Sequence, residues 1–158
     1  RAYSKQKLTI GYAPTSSICY PESEKPEDIE AARSAYFALQ TDDSNWTWNV
    51  SWWSDPVLLG RYPEEGLIRY EKYLPKITDE DMRLISEPID IYGQNIYNGM
   101  CFRMGEDGKP QLVERYEGFP KTAIQWPVTP ECLRWGNFCM KDIKSQSILQ
   151  RMDCPVMM

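Results

Sequence analysis

Apolar positions in the first forty residues follow a strand pattern and then a helix pattern. The run at 7–13 is apolar and ends at Pro14, which predicts a buried strand with a loop after it. From Pro26 to Gln40 apolar residues recur at helical spacing, at Ile29, Ala32, Tyr36 and Leu39. Proline and acidic residues in the first turn suit the positive end of a helix dipole, so a helix is predicted here.

The middle of the chain is less regular. Residues 41–65 are aromatic and follow neither period, whereas residues 64–75 return to helical spacing that ends at Pro75. Thr78, with Asp81 three positions later, has the form of a capping box and predicts a short helix that ends before Pro88.

The second half of the chain contains the other strand patterns. Residues 89–99 predict a second strand, residues 100–116 predict an inserted β-hairpin turning at 105–110, and residues 122–126 predict a third strand. Thr129 and Pro130 predict a helix N-cap followed by proline at the first helical position. The order strand, helix, strand, hairpin, strand, helix predicts an α/β fold with a parallel sheet.

Composition and charge narrow the functional classes. The 158 residues are 42% hydrophobic and 26% charged, as in one globular domain. A net charge of −5 offers no basic surface to a phosphate backbone, so no nucleic acid partner is expected. No apolar run reaches membrane-spanning length, so no membrane partner is expected either. Without histidine, the chain has no histidine triad and no histidine metal ligand.

Aromatic residues and cysteines add two further expectations. Six tryptophans and ten tyrosines, with acidic and amide side chains, are typical of sugar-binding clefts, although aromatic residues in a small domain more often form the core. Five cysteines at irregular spacing, without a C-x-x-C pair, favour neither a disulfide framework nor a zinc site. We therefore expect no metal, no cofactor and a reducing cytoplasm. No signal peptide opens the sequence, and because it begins with Arg1, a lost upstream segment is expected.

Three separated blocks of the chain read SDPVLLGRYPEE, EPIDIYGQNIYNG and KTAIQWPVTPECLRWG. In the same order and at similar spacing, they resemble the second half of the family 1 glycoside hydrolases, which are β-glucosidase-like retaining enzymes. The resemblance covers residues 7–136. It implies an incomplete (β/α)8 TIM barrel with about three of eight strands and the inserted hairpin. It also implies that substrate binds at the carboxyl ends of the strands.

The resemblance implies chemistry by two carboxylates, an acid/base in an N-E-P motif and a nucleophile in a T-E-N-G motif. Neither motif is present in the 158 residues, so no catalytic residue is predicted. Glu87-Pro88 is the one lookalike, but Ser86 precedes it and it stands before a predicted strand, at the non-catalytic end. We expect Glu87 to be a solvated loop carboxylate.

The resemblance assigns three substrate-binding residues. Asn95 and Tyr97 match the family's N-Y-Y, whose last tyrosine orients the nucleophile, and Trp126 matches the tryptophan that forms the aglycone platform. Taken alone, Tyr97 and Trp126 would be assigned to the core. Gln125 and Cys132 stand where the family usually has glycine, which puts the local loop geometry in doubt.

Residues 137–158 do not continue the resemblance. A shift of reading frame would explain this change. Triplets made from the third base of each codon and the first two bases of the next allow, from Asn137 onward, the sequence LLYERYKKPIYITENGLS, which contains the family's T-E-N-G motif. At four junctions the shifted residue is fixed whatever codons were used, for example Glu at Met140–Lys141 and Gly at Met152–Asp153. The sequence therefore predicts a partial barrel at 1–136 and an out-of-frame tail at 137–158.

Two functions follow from these patterns. The first is a fragment of a retaining β-glycosidase that acts on O-glycosidic bonds of β-glucosides or related sugars. It would be inactive alone, and its partners would be a β-glucoside or oligosaccharide substrate and the missing half of the barrel. The second is a non-catalytic module that binds sugar or a protein partner. A closed sheet would favour the module, and open strand edges would favour the fragment.

Overall fold

The structure, a computed structural model, describes residues 4–39 and 49–143, with the backbone alone at 140–143. Five helices and five short strands are assigned in these ranges. They are β1 Gly11–Tyr12, β2 Ile18–Pro21, α1 Pro26–Phe37, α2 Val50–Leu59, α3 Glu64–Tyr70, α4 Asp79–Ile85, β3 Ile91–Tyr92, β4 Gly99–Met104, β5 Pro110–Leu112 and α5 Glu131–Ile143.

Two long chain segments lie side by side as parallel neighbours. β1 pairs with β3, an isolated bridge joins Thr15 to Asn95, and β2 pairs with β4. The helical segments α1 to α4 connect them. The predicted parallel pairing of the strands near 8–12 and 89–97 is thereby confirmed.

The register between these segments shifts by one residue. Partners are 80 positions apart at Gly11–Ile91 (91 − 11) but 81 apart at Ile18–Gly99 (99 − 18). The second segment therefore holds one extra residue between Asn95 and Gly99, as at a β-bulge, which bends a strand and changes where its side chains point.

The first predicted strand differs from expectation in two ways. Residues 7–13 are not buried, since Leu8 is 42% exposed and only Gly11–Tyr12 pairs as a strand. The loop predicted after it contains β2, whose four residues are all buried. β2 has no alternating pattern because α1 and α5 both pack against it, so period-two alternation could not reveal it.

The helix predicted from Pro26 is confirmed, and it ends at Phe37 rather than at Gln40. The expectation of irregular structure over 41–65 was wrong for α2. Asn49 caps this helix by accepting a hydrogen bond from the Trp52 N–H at 2.8 Å, and Gly60 ends it at φ 67°. Pro56 within the helix and the apolar residues on most of its sides concealed its period.

The two short helices predicted next are confirmed. α3 continues as a 3-10 turn at Glu71–Tyr73, and α4 begins with the capping box of Thr78 and Asp81. The hairpin is also confirmed, because β4 pairs antiparallel with β5.

The third predicted strand, 122–126, is wrong. Its residues form a turn closed by an isolated bridge between Lys121 and Pro127, with the Gln125 N–H donating to the Thr122 carbonyl at 2.9 Å. The described part of the chain therefore supplies two neighbouring barrel-type strand segments and the hairpin strand β5.

The core lies between the parallel segments and helices α1 and α5. Its buried members include residues of every one of these elements: Ile18, Cys19, Tyr20, Ala32, Tyr36, Val50, Tyr92, Cys132, Trp135 and Cys139. α5 extends seven residues beyond Gly136 (143 − 136), and Cys139 is 2% exposed. The rest of the predicted out-of-frame tail, residues 144–158, lies outside the described residues.

Candidate functional site

The second parallel segment has one covered face and one open face. Tyr92 and Ile96 pack in the core, and the Gln94 amide donates to the Tyr36 hydroxyl of α1. Asn95 and Tyr97, at the alternate positions, are exposed. Since successive side chains of a strand point to opposite faces, the helices cover one face and leave the face of Asn95 and Tyr97 open.

Tyr97 and Trp126 meet at the end of this open face. Their ring centroids are 5.4 Å apart with an interplanar angle of 62°, an edge-to-face arrangement. Tyr97 is 61% exposed and Trp126 is 44% exposed, so neither is a core residue. The structure therefore brings together two of the three predicted substrate-binding residues and leaves their rings accessible.

Asn95, the third predicted residue, bonds to the neighbouring strand segment. Its side-chain amide donates to the Ala13 carbonyl at 3.1 Å, and its backbone N–H donates to the Pro14 carbonyl at 3.0 Å. Asn95 thus fixes the register just before the extra residue, two positions ahead of Tyr97.

A tight turn positions Trp126. The Thr122 N–H donates to the Trp126 carbonyl at 2.8 Å, and the Thr122 hydroxyl accepts from the Trp126 N–H at 3.2 Å. Gln125, between them in the chain, has φ 65°, in the left-handed region that favours glycine. The doubt about loop geometry at this position is resolved by a turn that Gln125 adopts in spite of its Cβ.

Two further residues bind the backbone of Gly99 at the start of β4, and the sequence did not identify them. The Thr129 hydroxyl accepts from the Gly99 N–H at 3.1 Å, and the Arg115 guanidinium donates to the Gly99 carbonyl at 2.6 Å. The prediction of Thr129 as an N-cap missed this role, because its hydroxyl serves the strand and accepts a weak bond from the Cys132 thiol at 3.3 Å. Both contacts join residues distant in sequence, which no local pattern reports.

Cys132, at the other position where the family usually has glycine, is buried beside Gly99. A Cβ at Gly99 would overlap the Cys132 sulfur and the Ile18 carbonyl. Burial raises the pKa of the Cys132 thiol, so it remains a neutral packing group.

Glu87 is an exposed residue in the connection between α4 and β3, as expected. It precedes the strand whose other end carries Tyr97, so it lies away from the aromatic pair. Within the ranges 4–39 and 49–143, no group of three acidic or cysteine side chains is arranged to hold a metal ion. None of the described helices is both long and apolar enough to cross a membrane.

Comparison with known proteins identifies the same family over most of the chain. A family model described as "Glycosyl hydrolase family 1" matches residues 1–146. β-Glucosidase A of Acetivibrio thermocellus is 36% identical over 78% of this chain and 27% of its own length. β-Glucosidase A of Thermotoga maritima is 34% identical over 87% of this chain and 28% of its own length.

A solved structure supports the fold. It is that of a family 1 β-glucosidase from Thermotoga maritima in complex with isofagomine lactam. It matches at a TM-score of 0.55 and 33% identity, over 88% of this chain and 28% of that chain. The chain thus spans less than a third of the length of these relatives.

Proposed function

The chain belongs to glycosyl hydrolase family 1, and on that premise we propose that it is part of a retaining β-glycosidase. The reaction is hydrolysis of O-glycosidic bonds in β-glucosides or related sugars. The fold is then an incomplete (β/α)8 barrel, with helices on the outer face of the strands and the substrate on the inner face.

The observation that carries this proposal is the exposed Tyr97–Trp126 pair. Its rings meet edge to face at 5.4 Å beyond the carboxyl end of β3, on the face that no described helix covers. An accessible indole face suits the C–H surface of a pyranose or of an aglycone. Trp126 is therefore the platform, and the Tyr97 hydroxyl orients the nucleophile when that carboxylate is supplied.

The same proposal makes this chain inactive alone. A retaining glycosidase needs one carboxyl group as acid and base and a second as nucleophile, about 5 Å apart. The 158 residues contain neither an N-E-P nor a T-E-N-G sequence. Asn95, Tyr97 and Trp126 can bind and orient, but they supply no proton donor and no nucleophile of this kind.

The partner that we propose is the remaining part of the barrel. The open face of Asn95 and Tyr97 corresponds to a barrel interior that further strands would line. We also propose that the protein is located in the cytoplasm, because an odd number of irregularly spaced cysteines does not suit a disulfide framework.

A non-catalytic sugar-binding module is the second candidate. The observation in its favour is that accessible aromatic rings occur in a chain whose 158 residues contain neither catalytic motif. The two candidates differ in complementation, since only a barrel fragment gains hydrolytic activity when further strands are added.

Ligand-observed NMR titration of the purified chain with phenyl β-D-glucoside tests the binding face. We expect saturable binding that Trp126→Ala abolishes and Trp53→Ala retains, since Trp53 is a comparably exposed tryptophan on α2. Loss of binding in both variants, or in neither, would contradict the assigned platform.

A turnover assay on the same preparations tests the predicted inactivity. No release of 4-nitrophenol from its β-glucoside above background is expected. Activity that copurifies with the chain and disappears in Glu87→Gln would show that Glu87 is catalytic and would overturn the proposal.

A further inference from the structure

Gln125 adopts a backbone conformation that disfavours its own side chain. Its φ of 65° is the one positive value among the described non-glycine residues. A Cβ in this region crowds the backbone, and only glycine adopts it without cost. Such strain persists where the surrounding structure imposes it, and it concentrates at ligand-binding positions.

The turn that imposes this conformation also fixes Trp126. Thr122 binds both the N–H and the carbonyl of Trp126, and the Gln125 N–H donates to the Thr122 carbonyl and closes the turn. Glycine would close the same turn without strain. The turn therefore uses only the backbone of Gln125 and requires no part of its side chain.

Gln125 is exposed and directly precedes an exposed aromatic residue. Trp126 is 44% exposed, and its ring contacts the Tyr97 ring. A carboxamide both donates and accepts hydrogen bonds, and so matches the hydroxyl groups of a sugar. It has no comparable partner on an unsubstituted aryl ring.

We propose that Gln125 is a specificity residue that favours a saccharide over an aryl group on the Trp126 platform. The inference rests on the proposed function, since it takes Trp126 as the surface on which the aglycone lies. Either a saccharide or an aryl group can stack on Trp126. The amide of Gln125 adds a hydrogen bond that only a ring with hydroxyl groups can form.

The test compares two β-glucosides with the same glucose and different aglycones, cellobiose and phenyl β-D-glucoside. Dissociation constants are measured by ligand-observed NMR for the wild type, Gln125→Gly, Gln125→Ala and Gln125→Asn. We expect the glycine and alanine variants to bind cellobiose about three- to tenfold more weakly, with unchanged binding of phenyl β-D-glucoside. The asparagine variant keeps the amide and should retain part of the preference.

Thermal unfolding separates this role from simple turn formation. Gln125→Gly should melt about 2–4 °C higher than the wild type because it relieves the strain, and Gln125→Ala should show no such gain. Greater stability combined with weaker cellobiose binding in Gln125→Gly is the pattern that supports the proposal.

Two results would overturn it in distinguishable ways. If the wild type binds both ligands and the glycine and alanine variants bind cellobiose equally well, Gln125 has no role in specificity while the platform stands. If the wild type binds neither ligand, the proposed sugar-binding face fails, and the inference fails with it.

Discussion

Tyr92 and Ser54 share a hydrogen bond inside the core, with 2.7 Å between their hydroxyl oxygens. Ser54 is 0% exposed and Tyr92 is 4% exposed, so neither hydroxyl can turn to water. Removing one partner leaves the other buried without a bond, which costs about 1–3 kcal/mol.

Tyr92→Phe and Ser54→Ala are therefore each expected to lower the free energy of unfolding by about 1–3 kcal/mol. The double variant should lose less than the sum, because it leaves no unpaired hydroxyl. Urea denaturation measures all three. Strictly additive losses would show that the two hydroxyls do not interact.

Asp55 makes stability depend on pH. Desolvation by burial raises the pKa of its carboxyl group from 3.8 to about 6, against the lowering influence of Arg61. The folded state therefore keeps this proton to higher pH than the unfolded chain does. The stability that protonated Asp55 contributes is full below pH 3.8 and is lost as pH rises through about 6.

Asp55→Asn removes this titration. We expect the variant to gain roughly 1 kcal/mol over the wild type at pH 7.5, after allowance for solvent screening, and less at pH 4. Melting temperatures at the two pH values measure the difference. An equal effect at both would show that Asp55 has an ordinary pKa in the folded chain.

The sequence predicted the aromatic residues Tyr97 and Trp126 but not the contacts that position them. Tyr97 and Trp126 lie in blocks that resemble a family, so their meeting could be expected. The positive φ of Gln125 and the bonds from Thr129 and Arg115 to Gly99 depend on how distant segments pack. A pattern within one segment carries no signal for such contacts.

At the scale of elements, two strands and a helix pack tightly around Gly99. A Cβ there would overlap the Ile18 carbonyl of β2 and the Cys132 sulfur of α5. Glycine at this position is what allows β2, β4 and α5 to meet.

Gly99→Ala is expected to lower the free energy of unfolding by more than about 2 kcal/mol, since the backbone carbonyl cannot give way. Gly11→Ala is the matched control, because its Cβ would meet Ile91 at an ordinary 3.5 Å. Circular dichroism melts compare them. A Gly99→Ala chain as stable as the control would contradict this packing.

Helix predictions succeeded where the apolar residues of a segment followed a helical period behind a clear start signal. α1 starts with a proline and acidic residues, and α4 starts with a capping box; both helices formed, although α1 ends at Phe37. α2 and β2 showed no period, because each is apolar on more than one side and contains a proline, and the caps of α2 alone did not reveal it. The turn at 122–126 has strand-like residues, but its bonds between Thr122 and Trp126 override that propensity.

At the scale of the whole molecule, the parallel segments present an open face and the chain contains only part of the family's length. The aligned part of this chain covers 27% and 28% of the two matched β-glucosidases. The proposed function therefore needs two carboxylates that these 158 residues do not supply.

The reading frame after Gly136 is a separate prediction at this scale. We expect the gene to encode Thr-Glu-Asn in the shifted frame across Leu149, Gln150 and Arg151, positions outside the described residues. Nucleotide sequencing over codons 130–158 decides it. Third bases that do not spell these residues would show that residues 137–158 are genuine protein sequence and not an out-of-frame tail.

The most direct measurement is hydrolysis of 4-nitrophenyl β-D-glucoside by complemented chains. Deleting two bases at codon 137 restores the shifted frame, and coexpression adds an upstream barrel half that contains the N-E-P glutamate. We expect activity only when both are present, because a retaining mechanism needs both carboxylates. The frame-restored chain should be inactive alone. The 158-residue chain should be inactive even with the upstream half. Hydrolysis by the 158-residue chain alone would contradict the proposed function. So would the absence of hydrolysis from the complemented pair when both halves are folded and associated.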